Sequence, residues 1–266
     1  MDQVEFISGR TRIYGIVGHP IAQVRSPEMI TAELFSRGRD AILIPIHILP
    51  ADVETCVPQV MRIQNLDGLV FTTPFKQIAC AFADELGAQA LAVGAINALA
   101  RRSDGRWVGD IFDGLGCVEA FRRRGHSFTG KRVMLIGAGG AGSAIGVAVA
   151  HQSPAVLRIF DIDSARAASL TEKVRRVDPR IEIICDQPNV DGIDILLNAS
   201  PVGMLDDPRM PIAAETIPGN VVVFDAIVKP EETKLLRIAT AGGCETIRGR
   251  EMMRGQIAKI VDFFLV

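Results

Sequence analysis

Apolar and polar positions along this chain follow two alternating periods. Short runs rich in Ile, Val and Leu, such as Ile13 to Val17, Ala41 to Ile48 and Gly68 to Phe71, read as buried strands. Between and after them, apolar residues recur at helical spacing from Pro27 to Arg37, Asp52 to Ile63 and Gln77 to Leu86, and these stretches predict helices. Such βαβ alternation predicts a mostly parallel sheet covered on both faces. Ile96 to Ala100 and Trp107 to Ile111 flank Ser103-Asp104-Gly105, a turn sequence suited to a hairpin. A further helix is expected from Leu115 to Arg124, closed by Gly125.

A second alternating unit begins at Lys131. Strands are expected near 132–137, 156–161, 181–185, 195–199 and 221–227, with helices near 141–152, 164–177 and 233–241. Asp163 and Ser164 form a capping pair for the middle helix. The last helix, Glu251 to Leu265, carries Met252, Met253, Ile257, Ile260, Val261 and Phe264 on or near one face. Gln256 lies off the most apolar part of that face, and the pattern leaves open whether it packs or points toward a cleft. The change of pattern between 114 and 130 divides the chain into two α/β domains without a flexible linker.

The second unit opens on the most informative segment. After the apolar run Arg132 to Ile136 come Gly137, Ala138, Gly139, Gly140, Ala141 and Gly142, and the helical spacing then resumes. This reads as strand, phosphate loop, helix. Gly137 permits the tight turn, Gly139 lets the backbone approach a pyrophosphate, and Gly142 lets the helix lie close to its strand. The free N–H groups and positive dipole end of that helix would face the phosphates. The next strand, Val156 to Asp161, ends in a carboxylate where the ribose hydroxyls of a dinucleotide belong. A tight turn that binds nothing, followed by a chance Asp, is the bland alternative; the surrounding run of strands and helices favours a dinucleotide.

Composition narrows the class. A chain of 266 residues, 48% of them apolar, can bury the cores of two modest domains. A net charge of −2 without a basic block lacks the footprint of a nucleic-acid binder. The segment Met1-Asp-Gln-Val-Glu-Phe has neither the charge nor the apolar length of a secretory signal. The longest nearly apolar stretch, Ala90 to Ala100, is about half of the ~20 residues that a membrane span requires. The five cysteines are scattered with no CxxC pair, as expected of reduced thiols in a cytoplasmic protein. The four histidines show no ligand spacing, so no metal is expected.

Seven blocks, in order, resemble the shikimate/quinate dehydrogenase family along nearly the whole chain. Gly18-His-Pro-Ile-Ala-Gln-Val-Arg-Ser26-Pro27 is similar to its N-terminal substrate loop, and Thr72-Thr-Pro74-Phe75-Lys76 to its catalytic-lysine motif. Gly94-Ala-Ile-Asn97 resembles the substrate-contacting asparagine segment, and Gly109-Asp-Ile-Phe-Asp113-Gly114 the segment bearing the catalytic aspartate. Gly137 to Gly142 matches the cofactor loop. Asn198-Ala-Ser200-Pro-Val-Gly203-Met204 resembles the nicotinamide-side loop, and Gly249-Arg-Glu-Met-Met-Arg-Gly-Gln256 the C-terminal helix with its substrate glutamine.

The resemblance implies a substrate-binding catalytic domain, 1–113, completed by the C-terminal helix 248–266, and a Rossmann-like dinucleotide-binding domain, 114–247, with the active site between them. It implies an NAD(P)-dependent oxidoreductase that interconverts a cyclic hydroxy acid, such as shikimate or quinate, and its 3-keto form, acting as a monomer or homodimer. Lys76 and Asp113 would be catalytic, with Ser26, Thr72, Asn97 and Gln256 contacting substrate. Gly137, Ala138, Gly139, Gly140, Ala141, Gly142, Asp161, Asn198, Ser200, Gly203 and Met204 would bind the cofactor. Two other functions compete: a low-turnover dinucleotide or metabolite sensor, which has no need of a proton-transfer pair, and another Rossmann enzyme such as a methylene-tetrahydrofolate dehydrogenase, which the Asn97 and Gln256 blocks disfavour.

Two departures from the family pattern set expectations of their own. NADP-preferring members carry an Asn-Arg-Thr type segment where this chain has Asp161-Ile162-Asp163, and carboxylates facing a 2′-phosphate repel it, so NAD is expected over NADP. Hydrogen-bonding residues of the family's substrate site are replaced by Val24, Val70, Phe112 and Val228. Each lost partner costs about 0.5–1.5 kcal/mol of binding, so shikimate is not expected to be the best substrate. Arg25 beside Val24 is a possible replacement anchor, or equally a solvated loop cation.

Overall fold

A computed structural model describes residues 7–213 and 217–266, in two compact units: one ends at Phe112 and takes back Ile257–Val266, and the other runs Asp113–Gln256. The first contains β1 (Arg12–Gly18), α1 (Ser26–Ser36), β2 (Ala41–His47), α2 (Val53–Val60), β3 (Leu66–Phe71), β4 (Glu85–Leu86), α3 (Ala88–Val93), β5 (Ala98–Arg101) and β6 (Trp107–Asp110). Its sheet runs β2-β1-β3-β5-β6-β4. β2, β1 and β3 are parallel, and β5 and β6 form the expected antiparallel hairpin. Val17, Leu69, Phe71, Phe75, Ile96 and Leu99 lie in the core on one face, where water is excluded from the alternate side chains of three strands.

Gln77 to Leu86 is not the expected helix. It forms a short 3-10 helix, Ile78–Phe82, and then turns extended at Ala83. Asp84 N–H donates to the Trp107 carbonyl (2.8 Å) and the Asp84 carboxylate accepts from Trp107 N–H (2.8 Å), so pairing with β6 draws the segment into a strand. Tertiary hydrogen bonding outweighs a helix propensity that differs little between residues.

The second unit contains α4 (Asp113–Arg123), β7 (Arg132–Ile136), α5 (Gly140–Ala150), β8 (Val156–Phe160), α6 (Ser164–Val177), β9 (Glu182–Ile184), β10 (Ile195–Asn198), β11 (Val222–Asp225), α7 (Lys234–Ala241), β12 (Thr246–Arg248) and the first part of α8 (Gly249–Phe264). Its sheet is wholly parallel, in the order β12-β11-β10-β7-β8-β9. Numbered within the unit this is the doubly wound Rossmann order 3-2-1-4-5-6, whose direction of winding reverses between β7 and β10. α6 is capped by Asp163, whose carboxylate accepts from Ala165 N–H (3.0 Å), and α7 by Thr233.

Candidate functional site

In the first unit the carboxyl ends of the parallel strands lie at one edge, with Gly18 opposite His47 and Val17 opposite Phe71. The loops that follow carry the expected substrate residues. Gly18 leaves no room for a side chain against Thr72, and His19 N–H donates to the Thr73 carbonyl (3.0 Å), so the substrate loop is laid along the lysine motif. Ser26 then opens α1, with Pro27 in its first turn. Phe75 N–H closes a turn onto the Thr72 carbonyl (2.9 Å), and Ile96 N–H donates to the Lys76 carbonyl (2.8 Å). Buried Asn97 is held on three sides: its N–H meets the Asp110 carbonyl (3.0 Å), its carbonyl accepts from Phe71 N–H (2.9 Å), and its Oδ1 accepts from Phe112 N–H (3.0 Å). The first unit therefore gathers Thr72, Lys76 and Asn97 along one sheet edge.

Apolar residues border that edge. Val70 is buried, and buried Phe112 packs at a tilt on Phe263, with ring centroids 5.3 Å apart. Arg25 is exposed and paired with Glu28 at 3.4 Å, which answers its charge. Sequence spacing gave no sign of one polar contact: His19 Nδ1 lies 2.9 Å from His47 Nε2, with the two rings stacked. The register of β1 on β2 brings them together.

In the second unit the expected cofactor residues converge on the switch point between β7 and β10. Gly137 has φ +97°, and a Cβ there would lie 2.7 Å from Ser200 N, so the turn after β7 is pressed against the loop after β10. Only glycine combines that dihedral with that approach. A Cβ on Gly142 would collide with the Gly137 carbonyl, whereas one on Gly139 would meet nothing within 4 Å. α5 has no side-chain cap, so its first N–H groups are presented beside this open space. The Asp161 carboxylate accepts from Ala138 N–H (2.7 Å) and Asp163 N–H (2.9 Å). It therefore braces the glycine loop as well as standing at the end of β8. The open backbone at Gly139, the uncapped helix and the carboxylate fit the pyrophosphate and ribose of a dinucleotide.

Beneath the Asn198 loop lies a buried polar network that the sequence did not disclose. Asn198 Oδ1 accepts from Ser200 N–H (3.0 Å) and Ser200 Oγ (2.7 Å), and its Nδ2 donates to Asp225 Oδ1 (3.1 Å). Asp225 also accepts from Ile227 N–H (3.1 Å) and Thr233 Oγ1 (2.7 Å). Burial pushes the Asp225 carboxyl up to about 6 against the pull of these donors. Gly203 has φ +95° and Met204 N–H closes on the Pro201 carbonyl (3.1 Å), so the loop folds back on itself. Asp113 opens α4 and is buried. Gln256 is half-buried on α8, its Cβ 2.9 Å from where a Cβ on Gly116 would stand, one turn beyond Asp113.

Together these features define a two-unit α/β oxidoreductase of the Rossmann type. A model of the shikimate dehydrogenase substrate binding domain matches residues 16–99. The chain is 32% identical over 251 residues to a shikimate dehydrogenase (NADP(+)) of Rubrobacter xylanophilus, covering 93% of this chain and 88% of that one. It superposes on a shikimate dehydrogenase solved in complex with NADP+ with a TM-score of 0.88 at 26% identity, covering 97% and 91% of the two chains. Against quinate dehydrogenase from Corynebacterium glutamicum in complex with NAD, the TM-score is 0.84 at 26% identity, with 96% and 93% covered. The chain belongs to the shikimate dehydrogenase family.

Proposed function

We propose that this protein interconverts a cyclic hydroxy acid and its 3-keto form, with NAD as the hydride carrier. The observation that carries this reading is the gathering of Thr72, Lys76 and Asn97 on one strand-end edge, in a chain whose other unit has a glycine loop at its switch point. When bound, the nicotinamide supplies hydride transfer to or from the carbinol carbon. Lys76 exchanges the hydroxyl proton, and its ammonium form stabilises negative charge developing on the oxygen. Asp113 supplies the carboxylate this chemistry calls for. Ser26, Thr72, Asn97 and Gln256 orient the substrate through hydrogen bonds. Gly137 to Gly142 hold the pyrophosphate, Asp161 the ribose hydroxyls, and Asn198, Ser200, Gly203 and Met204 the nicotinamide side. The unit ending at Phe112, with the end of α8, is the substrate domain in this scheme.

The relative named for NADP(+) sets the opposite expectation for the cofactor, and the residues around Asp161 argue for a divergence. A cavity of about 900 Å³ beside Asp161 and Ile162 has Arg175 as its one arginine, and Glu172 answers that charge at 2.7 Å. Arg166 is paired with Asp163 at 3.4 Å, and Arg158 donates to the Asn189 carbonyl (3.4 Å). A 2′-phosphate would therefore meet the Asp161 carboxylate without a ready cation. The expected kcat/KM with NAD exceeds that with NADP at least tenfold, and Asp161→Ser narrows the ratio; a preference for NADP overturns the assignment.

Replacement of hydrogen-bonding residues by Val24, Val70, Phe112 and Val228 supports a substrate with fewer hydroxyls than shikimate. The test is a panel of cyclic hydroxy acids assayed for NAD reduction, with Lys76→Ala beside the unaltered protein. Loss of a general acid–base typically lowers kcat by about 10²–10⁴. Undiminished activity in that variant removes Lys76 from the mechanism, and a silent panel removes the substrate class.

A further inference from the structure

Most arginines of this protein are answered by a carboxylate, as in Arg37 with Glu33, Arg106 with Asp104, Arg124 with Glu251 and Arg209 with Asp207. Arg39, Arg101 and Arg102 make no ion pair with an acidic side chain among the described residues, yet all three line one cavity of about 510 Å³ in the first unit. Arg12 and Asp67 line it too, and their charges are spent on each other.

Two of the three are held in place by main-chain oxygens and aromatic rings rather than by acidic side chains. Arg102 Nη1 donates to the main-chain oxygens of Phe263 (2.7 Å) and Val266 (3.3 Å), and its guanidinium lies 4.7 Å from the Phe263 ring centroid. Arg101 Nη1 donates to the Ile63 carbonyl (3.3 Å), and its guanidinium lies 5.7 Å from the centroid of Trp107. Main-chain oxygens and ring faces fix the plane of a guanidinium while leaving most of its five N–H donors available. Tyr14 also lines the cavity, its buried ring stacked on Phe264. Its hydroxyl, pushed up to about 12 by burial, stays protonated and is a neutral donor.

Cations gathered in one concavity without acidic side-chain partners repel one another, and an anion seated there relieves that repulsion. Planar guanidinium forks match the paired oxygens of phosphoryl and carboxylate groups, and the volume suits a small molecule. The cavity also lies away from the substrate edge. Arg12 opens β1 and Asp67 stands near the start of β3, whereas Gly18 and Thr72 lie at the other ends of those strands. We propose that this cavity is a second ligand site, which binds a small dianion, phosphoryl or dicarboxylate, through Arg39, Arg101 and Arg102.

The test is calorimetric titration of the full chain with inorganic phosphate and, separately, with malonate, in the presence and absence of NAD. Arg39→Gln, Arg101→Gln and Lys76→Ala are compared with the unaltered protein. Saturable binding of either anion is expected, weakened at least tenfold by each arginine substitution and unchanged by Lys76→Ala. The anion that binds more tightly identifies the class. Absence of saturable binding, equal affinity in the arginine variants, or loss of binding in Lys76→Ala overturns the proposal. Circular dichroism of the two arginine variants confirms that weakened binding is not unfolding.

Discussion

Asp225 shows how much one side chain contributes to this site without touching a ligand. It is fully buried and accepts from Asn198, Ile227 and Thr233, so it sets the position from which Asn198 holds Ser200. Its carboxyl titrates near 6 in the folded protein and near 3.9 in the unfolded chain. Between those values the folded state binds the proton more tightly. This group's contribution to stability is therefore largest below about pH 4 and declines until the pH passes about 6, by about 3 kcal/mol in all. Asp225→Asn keeps an acceptor for Asn198 and Ile227 and places an amide donor against Thr233 Oγ1, as the protonated acid does. Urea unfolding between pH 4 and 8 is expected to lose this slope in the variant; an unchanged slope locates the titration elsewhere. None of this was legible in the sequence, because Asp225 lies 27 residues from Asn198 and only the pairing of β10 with β11 sets them side by side.

The glycine loop and its helix separate two roles that a motif runs together. Gly142 is required by packing, since a methyl group there meets the Gly137 carbonyl; Gly139, with φ −68° and open space at its Cβ, is not. Gly142→Ala is expected to destabilise the protein by roughly 1–3 kcal/mol, as overpacking does, and to impair NAD binding. Gly139→Ala should leave the melting temperature within about a degree of the parent while weakening NAD binding at least tenfold. Melting curves with NAD titrations distinguish the two; normal NAD affinity in Gly139→Ala would show that the open space is not where the pyrophosphate lies. At this scale the long elements were legible, because β7, α5, β8 and α6 combine a clear period with recognisable turns and caps. Short elements were not. α3 depends on Asp110 Oδ1 accepting from Ala90 N–H (2.7 Å), and β12 on pairing with β11, partners that no local pattern names.

At the scale of the whole molecule, each unit has a separate core and a separate set of expected ligand contacts. A ligand that binds the native state stabilises it by mass action, by about 2.7 kcal/mol at one hundred times its Kd. With NAD at that level, hydrogen exchange is expected to slow most in segments spanning 137–142, 161–163 and 198–204. Slowing confined to the unit ending at Phe112 would contradict the division of roles. The sequence by itself determined the two-unit α/β plan, the glycine turn and the family blocks, because hydrophobic period and glycine placement are properties of a few adjacent residues. Only the tertiary structure decided that Gln77 to Leu86 departs from a helix, that Asp161 braces Ala138, that Asp225 underlies Asn198 and that three arginines without an acidic side-chain partner among the described residues share a cavity. Each of these rests on a hydrogen bond or a charge whose counterpart lies far along the chain, and the energy of such a pairing exists only once strands and helices have brought the partners within reach.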